Sequence, residues 1–152
     1  MTAEHDARTA HFLLDSEWNR LANRWASGSG MAVRDESTHM TLGVTRRPAG
    51  PDDLEVRLTT SRRFLVAFMT NGRSLAPGEL ARGAAAANAW NTEQLTPTLS
   101  VWNVRGARPH LGGVCTLPLS CRMSQQDFDA IASGWVDQAV TMFARCREVF
   151  RL

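Results

Sequence analysis

Residues 124–150 read SQQDFDAIASGWVDQAVTMFARCREVF. Phe128, Ile131, Ala132, Trp135, Ala139, Met142, Phe143, Cys146 and Phe150 fall on one face at helical spacing. With 3.6 residues per turn, this pattern predicts a long helix that buries a single stripe. Ser124 stands at the N-cap position, and Asp127 three residues later completes a capping-box variant in which each residue satisfies the other's orphan N–H. Met123, just before the cap, is placed to staple onto Phe128. Arg145, Arg147 and Arg151 lie near the negative end of the helix dipole, where cations are favoured.

Working back from this helix, Leu99 to Val104 and Leu111 to Leu119 read as two strands around Arg105-Gly106-Ala107. Cys115, Leu117, Leu119 and Cys121 alternate on one face, and Pro118 marks a strand edge or end. A middle helix is predicted over Pro77 to Asn91. Pro77 suits its first turn, Glu79 complements its positive end, and Leu80, Ala84, Ala87 and Trp90 or Asn91 keep the helical period. Further upstream the period is two. Met40, Leu42 and Val44 suggest one strand; Leu54, Val56 and Leu58 another, after the Pro48 to Asp53 turn. Phe64 to Met69 is a strand apolar on both faces, closed by the turn pair Asn71-Gly72. The first helix covers about Thr9 to Ser27, with Leu14, Trp18, Leu21 and Trp25 on one face and Gly28-Ser29-Gly30 as its stop. The predicted order is helix, three strands, helix, two strands, helix. This is an α+β domain with three helices against a single antiparallel sheet of about five strands.

The chain has 152 residues, 43% hydrophobic and 21% charged, and a formal charge of +2. That suits one globular domain over residues 1–152, with 1–8 as a loose polar tail, and argues against whole-chain disorder. Every basic side chain other than histidine is Arg; the chain has no Lys and no Tyr. With no strongly acidic or basic tail, charge alone does not point to nucleic acid or an anionic membrane. The first residues lack the apolar stretch of a signal peptide, and the longest apolar run, Phe64 to Met69, is far short of a membrane span. Cys115, Cys121 and Cys146 form no Cys-x-x-Cys pair and lie in apolar patterns, as reduced thiols in the cytoplasm would.

Asn88-Ala89-Trp90-Asn91 at the end of the middle helix, Leu117-Pro118-Leu119 closing a strand, and Ser124-Gln125-Gln126-Asp127-Phe128 opening the last helix occur together here. Through these segments the stretch from Pro77 to Phe150 resembles the YbjN family of bacterial proteins. Where family members commonly carry a Gly-rich turn before the last helix, this chain has Ser120-Cys121-Arg122-Met123. Met31 to Arg63 does not match residue by residue. The resemblance implies a fold similar to type III secretion chaperones of the Tir-chaperone type, often dimeric. It also implies a role in the regulation of sensory transduction and no established enzymatic activity.

The residues themselves offer no catalytic constellation. The cysteines with His39 and His110 lack a metal-ligand spacing, and no cysteine has an evident activating base. Ala26-Ser27-Gly28-Ser29-Gly30 is neither a nucleophile elbow nor a phosphate loop, since the chain has no Lys. Asp35-Glu36 and Asp52-Asp53 read as solvated turn residues. Asn88 and Asn91 read as groups that satisfy backbone where the helix ends and the chain turns towards Leu99. No cofactor and no metal are expected. Binding is favoured instead, because a sheet covered on one side should be polar on the other. Phe64, Val66 and Phe68, with Trp102, are too apolar for that. Either the Trp18/Trp25 helix covers part of the second face, with a second copy or client over the rest, or another chain covers it all. Arg46, Arg47, Arg57, Arg62 and Arg63 would rim such a patch. The expectation is a non-enzymatic, dimeric, cytoplasmic protein-binding regulator or chaperone-like adaptor. The competing expectation is an RNA-binding regulator that uses the same arginines; a small-molecule enzyme comes third.

Overall fold

The computed structural model describes residues 9–36, 39–44 and 53–152. A short strand, Phe12–Leu13 (β1), leads into the helix Leu14–Gly28 (α1). Four strands follow: Ala32–Asp35 (β2), His39–Val44 (β3), Leu54–Ser61 (β4) and Phe64–Thr70 (β5). A 3-10 turn, Pro77–Glu79, enters the helix Leu80–Glu93 (α2). Then come Thr98–Trp102 (β6), His110–Pro118 (β7), Arg122–Met123 (β8) and the helix Gln125–Phe150 (α3). The main sheet is antiparallel with strand order β2-β3-β4-β5-β7-β6, and β1 pairs with β8 in a separate two-stranded ribbon.

Among the described residues the α+β class and three long helices are as the sequence predicts, and the main sheet has six strands where about five are expected. The additional strand is β2, all four of whose residues are exposed, so it carries none of the apolar alternation that reveals a strand. The β1–β8 ribbon is two residues long on each side and takes Phe12 and Leu13 out of the predicted first helix, pairing Phe12 with Met123 and Leu13 with Arg122. β6 ends at Trp102 instead of Val104 because Asn103 adopts a left-handed backbone, φ 57°, which no strand continues through.

The core lies between the helices and one face of the sheet. Met40, Leu42, Val56, Leu58, Leu65, Met69 and Leu99 from the strands meet Leu14 and Leu21 of α1 and Phe128 and Met142 of α3, all essentially without solvent contact. Trp25 of α1 packs edge-on against Phe128, centroids 6.4 Å apart, and its Nε1–H donates to Ser133 Oγ at 3.0 Å. Helix α1 therefore sits beside α3 on the core side. The expectation that the Trp18/Trp25 helix covers part of the opposite face is corrected: Trp18 and Trp25 both pack into the common core.

Local chemistry fixes the ends of α3. The Ser124 hydroxyl accepts from the Asp127 N–H at 3.1 Å and donates to Asp127 Oδ2 at 2.8 Å, while the Ser124 N–H reaches the same oxygen at 3.4 Å. At the other end Arg151 is left-handed and the Leu152 N–H returns to the Cys146 carbonyl at 3.2 Å, a Schellman-type stop that buries the Leu152 side chain. Across the helix pair, Arg145 grips Glu93 of α2 with two parallel bonds, 2.5 and 2.8 Å.

Candidate functional site: the open face of the sheet

β5 alternates. Leu65, Ala67 and Met69 point to the helices and are buried, so Phe64, Val66 and Phe68 point the other way. Pairing places Arg57 of β4 on one side of Phe68 and Val114 of β7 on the other. Trp102 reaches the same place from β6, because the residue between, Gly112 on β7, has no side chain. A Cβ there would lie 2.5 Å from Phe68 Cζ and 2.8 Å from Trp102 Cδ1. The two rings meet edge to face in that gap, centroids 5.0 Å apart and planes at 86°. The Trp102 Nε1–H donates to the Gly112 carbonyl at 3.3 Å. His110 adds a third ring 6.0 Å from Phe68, and its Nδ1 lies 3.1 Å from the Arg108 carbonyl oxygen.

None of Phe64, Val66, Phe68, Val114 and Trp102 belongs to the core or packs against it. Phe64 keeps 44% and Trp102 41% of its surface accessible. Among the described residues, then, one face of the sheet carries an uncovered apolar strip that crosses β5, β7 and β6.

Arginines border the strip. Arg57 lies beside Phe68, and Arg62 and Arg63 form the β4–β5 turn next to Phe64. Among the described residues none of the three is in an ion pair, whereas Arg20, Arg34, Arg73, Arg82 and Arg145 all are. Arg105 and Arg108, exposed in the β6–β7 connection, are likewise unpaired among the described residues. Arg46 and Arg47, expected at the same rim, lie outside the described residues. Past Phe64 the face runs into a groove of about 610 Å³ lined by Leu13, Asp15, Arg62, Arg63, Phe64, Pro118, Leu119 and Ser120.

Of the residues that carry the family resemblance, most are held in structural bonds. The Asn91 carboxamide accepts from the Leu99 N–H at 2.9 Å and donates to the Leu99 carbonyl at 2.8 Å, acting as a strand one residue long on the outer edge of β6. Trp90 Nε1–H donates to the Pro97 carbonyl at 2.8 Å, and the Asn88 carbonyl accepts from Thr92 Oγ1 at 2.7 Å. Leu117 lies against the core, and Pro118 pairs with Phe64 at the end of β7. The Leu119 N–H donates to the Arg63 carbonyl at 2.8 Å, and Ser124 caps α3. Burial pushes the Cys115 thiol up to about 12 and, although Arg145 opposes it, the Cys146 thiol to about 11. Both stay protonated and unreactive at neutral pH. Among the described residues no group of His, Cys, Asp and Glu is arranged to hold a metal ion, and no helix is long and apolar enough to cross a membrane.

Gly112 and Val114 carry no individual signal in the sequence, and His110 stands out there only as a candidate metal ligand. As a pair, Gly112-Gly113 does carry one: two adjacent glycines inside an apolar strand mark a place where something approaches the backbone closely.

An antiparallel sheet backed by helices on one side, with an apolar opposite side, defines a class of two-layer α+β domain. Within it the chain is similar to the crystal structure of YbjN, a proposed transcription regulator from E. coli. The TM-score is 0.70 over 90% of this chain and 95% of that one, at 14% sequence identity. The fold is YbjN-like. No family model matches the sequence, and no curated protein matches it.

Proposed function

We propose that this protein is a non-enzymatic regulator that docks an acidic, apolar segment of a partner protein on the open face of its sheet. The observation that carries this reading is the strip Phe64, Val66, Phe68, Val114 and Trp102, uncovered among the described residues, beside Arg57, Arg62 and Arg63, which have no ion pair among those residues. Burying the strip would drive association, at about 25 cal/mol for each Å² of apolar surface removed from water. The arginines would set orientation and speed encounter with an acidic segment. The regulator role agrees with what is proposed for YbjN. A second copy laid face to face would set these arginines against themselves. The homodimer that belongs to the proposal therefore forms elsewhere on the molecule and leaves this face to the client. The setting is the cytoplasm, where three unbridged thiols stay reduced.

The test compares the wild-type protein with F64D/V66D and with V149D, an exposed control on α3. Affinity capture from host cells is followed by quantitative mass spectrometry. A partner held by wild type and V149D and lost by F64D/V66D is the expected result; an unchanged partner set refutes the reading. The rings of Phe68, Trp102 and His110 beside Arg105 and Arg108 also suit stacked single-stranded RNA. Filter binding at low salt, lost steeply as salt is added and abolished by W102A, would select that reading instead.

A further inference from the structure

We infer that the groove beside the β4–β5 turn is a small-ligand site for an amphipathic carboxylate, with its apolar body against Phe64, Leu13 and Pro118 and its head on Arg62 and Arg63. The volume, about 610 Å³, is in the range of small-molecule sites. The walls come from three separate parts of the chain, and backbone bonds lock them together. Leu119 N–H binds the Arg63 carbonyl at 2.8 Å, Asp15 N–H the Leu119 carbonyl at 3.0 Å, and Leu14 N–H the Cys121 carbonyl at 2.9 Å. The groove is thus formed before anything enters it, which spares a ligand the ordering cost of a mobile site.

The lining selects the chemistry. Leu13, Phe64, Pro118 and Leu119 supply an apolar wall, and the two guanidiniums are the cations there, unpaired among the described residues. A guanidinium fork matches a carboxylate in shape and charge. Asp15 on the lining disfavours a second negative charge, so a monoanionic carboxylate fits better than a phosphate dianion. The groove shares Phe64, Arg62 and Arg63 with the docking face, but its occupancy requires no protein partner. Val66 lies on that face and outside the groove.

The probe is octanoate, titrated into the ¹⁵N-labelled full chain and followed by amide chemical shifts, with octanamide as the neutral control. Saturable shifts at residues 13–16, 62–64 and 119–120, much weaker for octanamide, are expected. R62N/R63Q should weaken octanoate binding by about tenfold or more, the loss of a charge-assisted contact. Asn suits position 62 because Arg62 has φ 55°, and an otherwise unchanged spectrum shows that the variant is folded. V66D should leave octanoate binding intact while abolishing client capture. Absence of saturable shifts, equal binding of octanamide, or shifts centred on Phe68 and Trp102 would each overturn the inference. Octanoate failure with client capture intact sinks this site alone; the converse sinks the docking reading alone.

Discussion

Replacing Gly112 by alanine and, separately, Gly113 by alanine tests the two-sidedness of the sheet at adjacent positions of one strand. A Cβ on Gly113 would lie 2.7 Å from Met142 Cε and 3.1 Å from Pro97 Cβ. Met142 and Pro97 are both buried, so neither can move without displacing core neighbours. Overpacking of that kind costs about 1–3 kcal/mol. Removing glycine's excess backbone freedom returns roughly 0.5–1 kcal/mol, leaving G113A destabilised by roughly 0–2.5 kcal/mol, centred near 1 kcal/mol. On Gly112 the new methyl would be nearer still, 2.5 Å from Phe68 Cζ, yet the obstacles are ring edges on an open face. Both rings can swing towards solvent. The loss is one edge-to-face pair, about 0.5–1.5 kcal/mol, against the same backbone gain, so the net effect of G112A should lie within about 1 kcal/mol of zero. Urea unfolding followed by far-UV circular dichroism measures both values. Because G112A disorders Phe68 and Trp102, it should also weaken client capture, which G113A at a permissive temperature should not. If G112A is as destabilising as G113A, the rings are not free to move and the open face is not open.

Asn91→Ala strips both bonds from Leu99 and should cost about 1–3 kcal/mol in the same urea assay, the penalty for unsatisfied backbone groups. Ser124→Ala removes the cap of α3 and should cost about 1 kcal/mol, read as a lower midpoint in urea. The Arg145 hydrogen bond and charge hold the Glu93 carboxyl below its ordinary 4.5. A depressed carboxylate stabilises the fold above its unfolded pKa, and that contribution fades as pH falls through the folded value. E93Q should therefore be less stable than wild type at pH 7 and lose less of its stability on acidification below 4.5, measured as melting temperature against pH. With Cys115 and Cys146 buried, a disulfide reagent should modify Cys121 in the native protein and the other two only after denaturant is added.

What could be read from sequence was what neighbours in sequence determine. The α3 stripe and the Ser124–Asp127 cap lie within one or a few turns of each other, so period and residue type sufficed. The same holds for Leu54, Val56 and Leu58, whose alternation is the face they bury. β2 escaped because Ala32 to Asp35 is exposed throughout, and pairing with β3 is its only distinction. The double-faced apolarity of Phe64 to Met69 was visible, but its reason was not. Helix α1 is amphipathic enough to cover either face, and Trp25 commits it to Phe128 and Ser133, more than a hundred residues away in the chain. The candidate site assembles in the same non-local way. Phe64, Val66 and Phe68 share a face by simple alternation, whereas Trp102 joins them only through the register of β6 on β7 across Gly112. The groove needs β1, the β4–β5 turn and the end of β7 together, and no period announces such a meeting.

The Asn91 carboxamide has one further consequence, for how many neighbours the sheet can accept. A sheet with two bare margins can add chains at both and grow without limit; a sheet with one bare margin stops at a pair. Asn91 occupies the peptide group of Leu99 on the β6 margin, and α2 lies against that strand, with Val101 Cγ2 only 3.3 Å from where a side chain on Gly83 would begin. The strand at the other end of the order is β2. Among the described residues, then, strand addition has one open margin, at β2, and an asparagine in the middle of the chain closes the other.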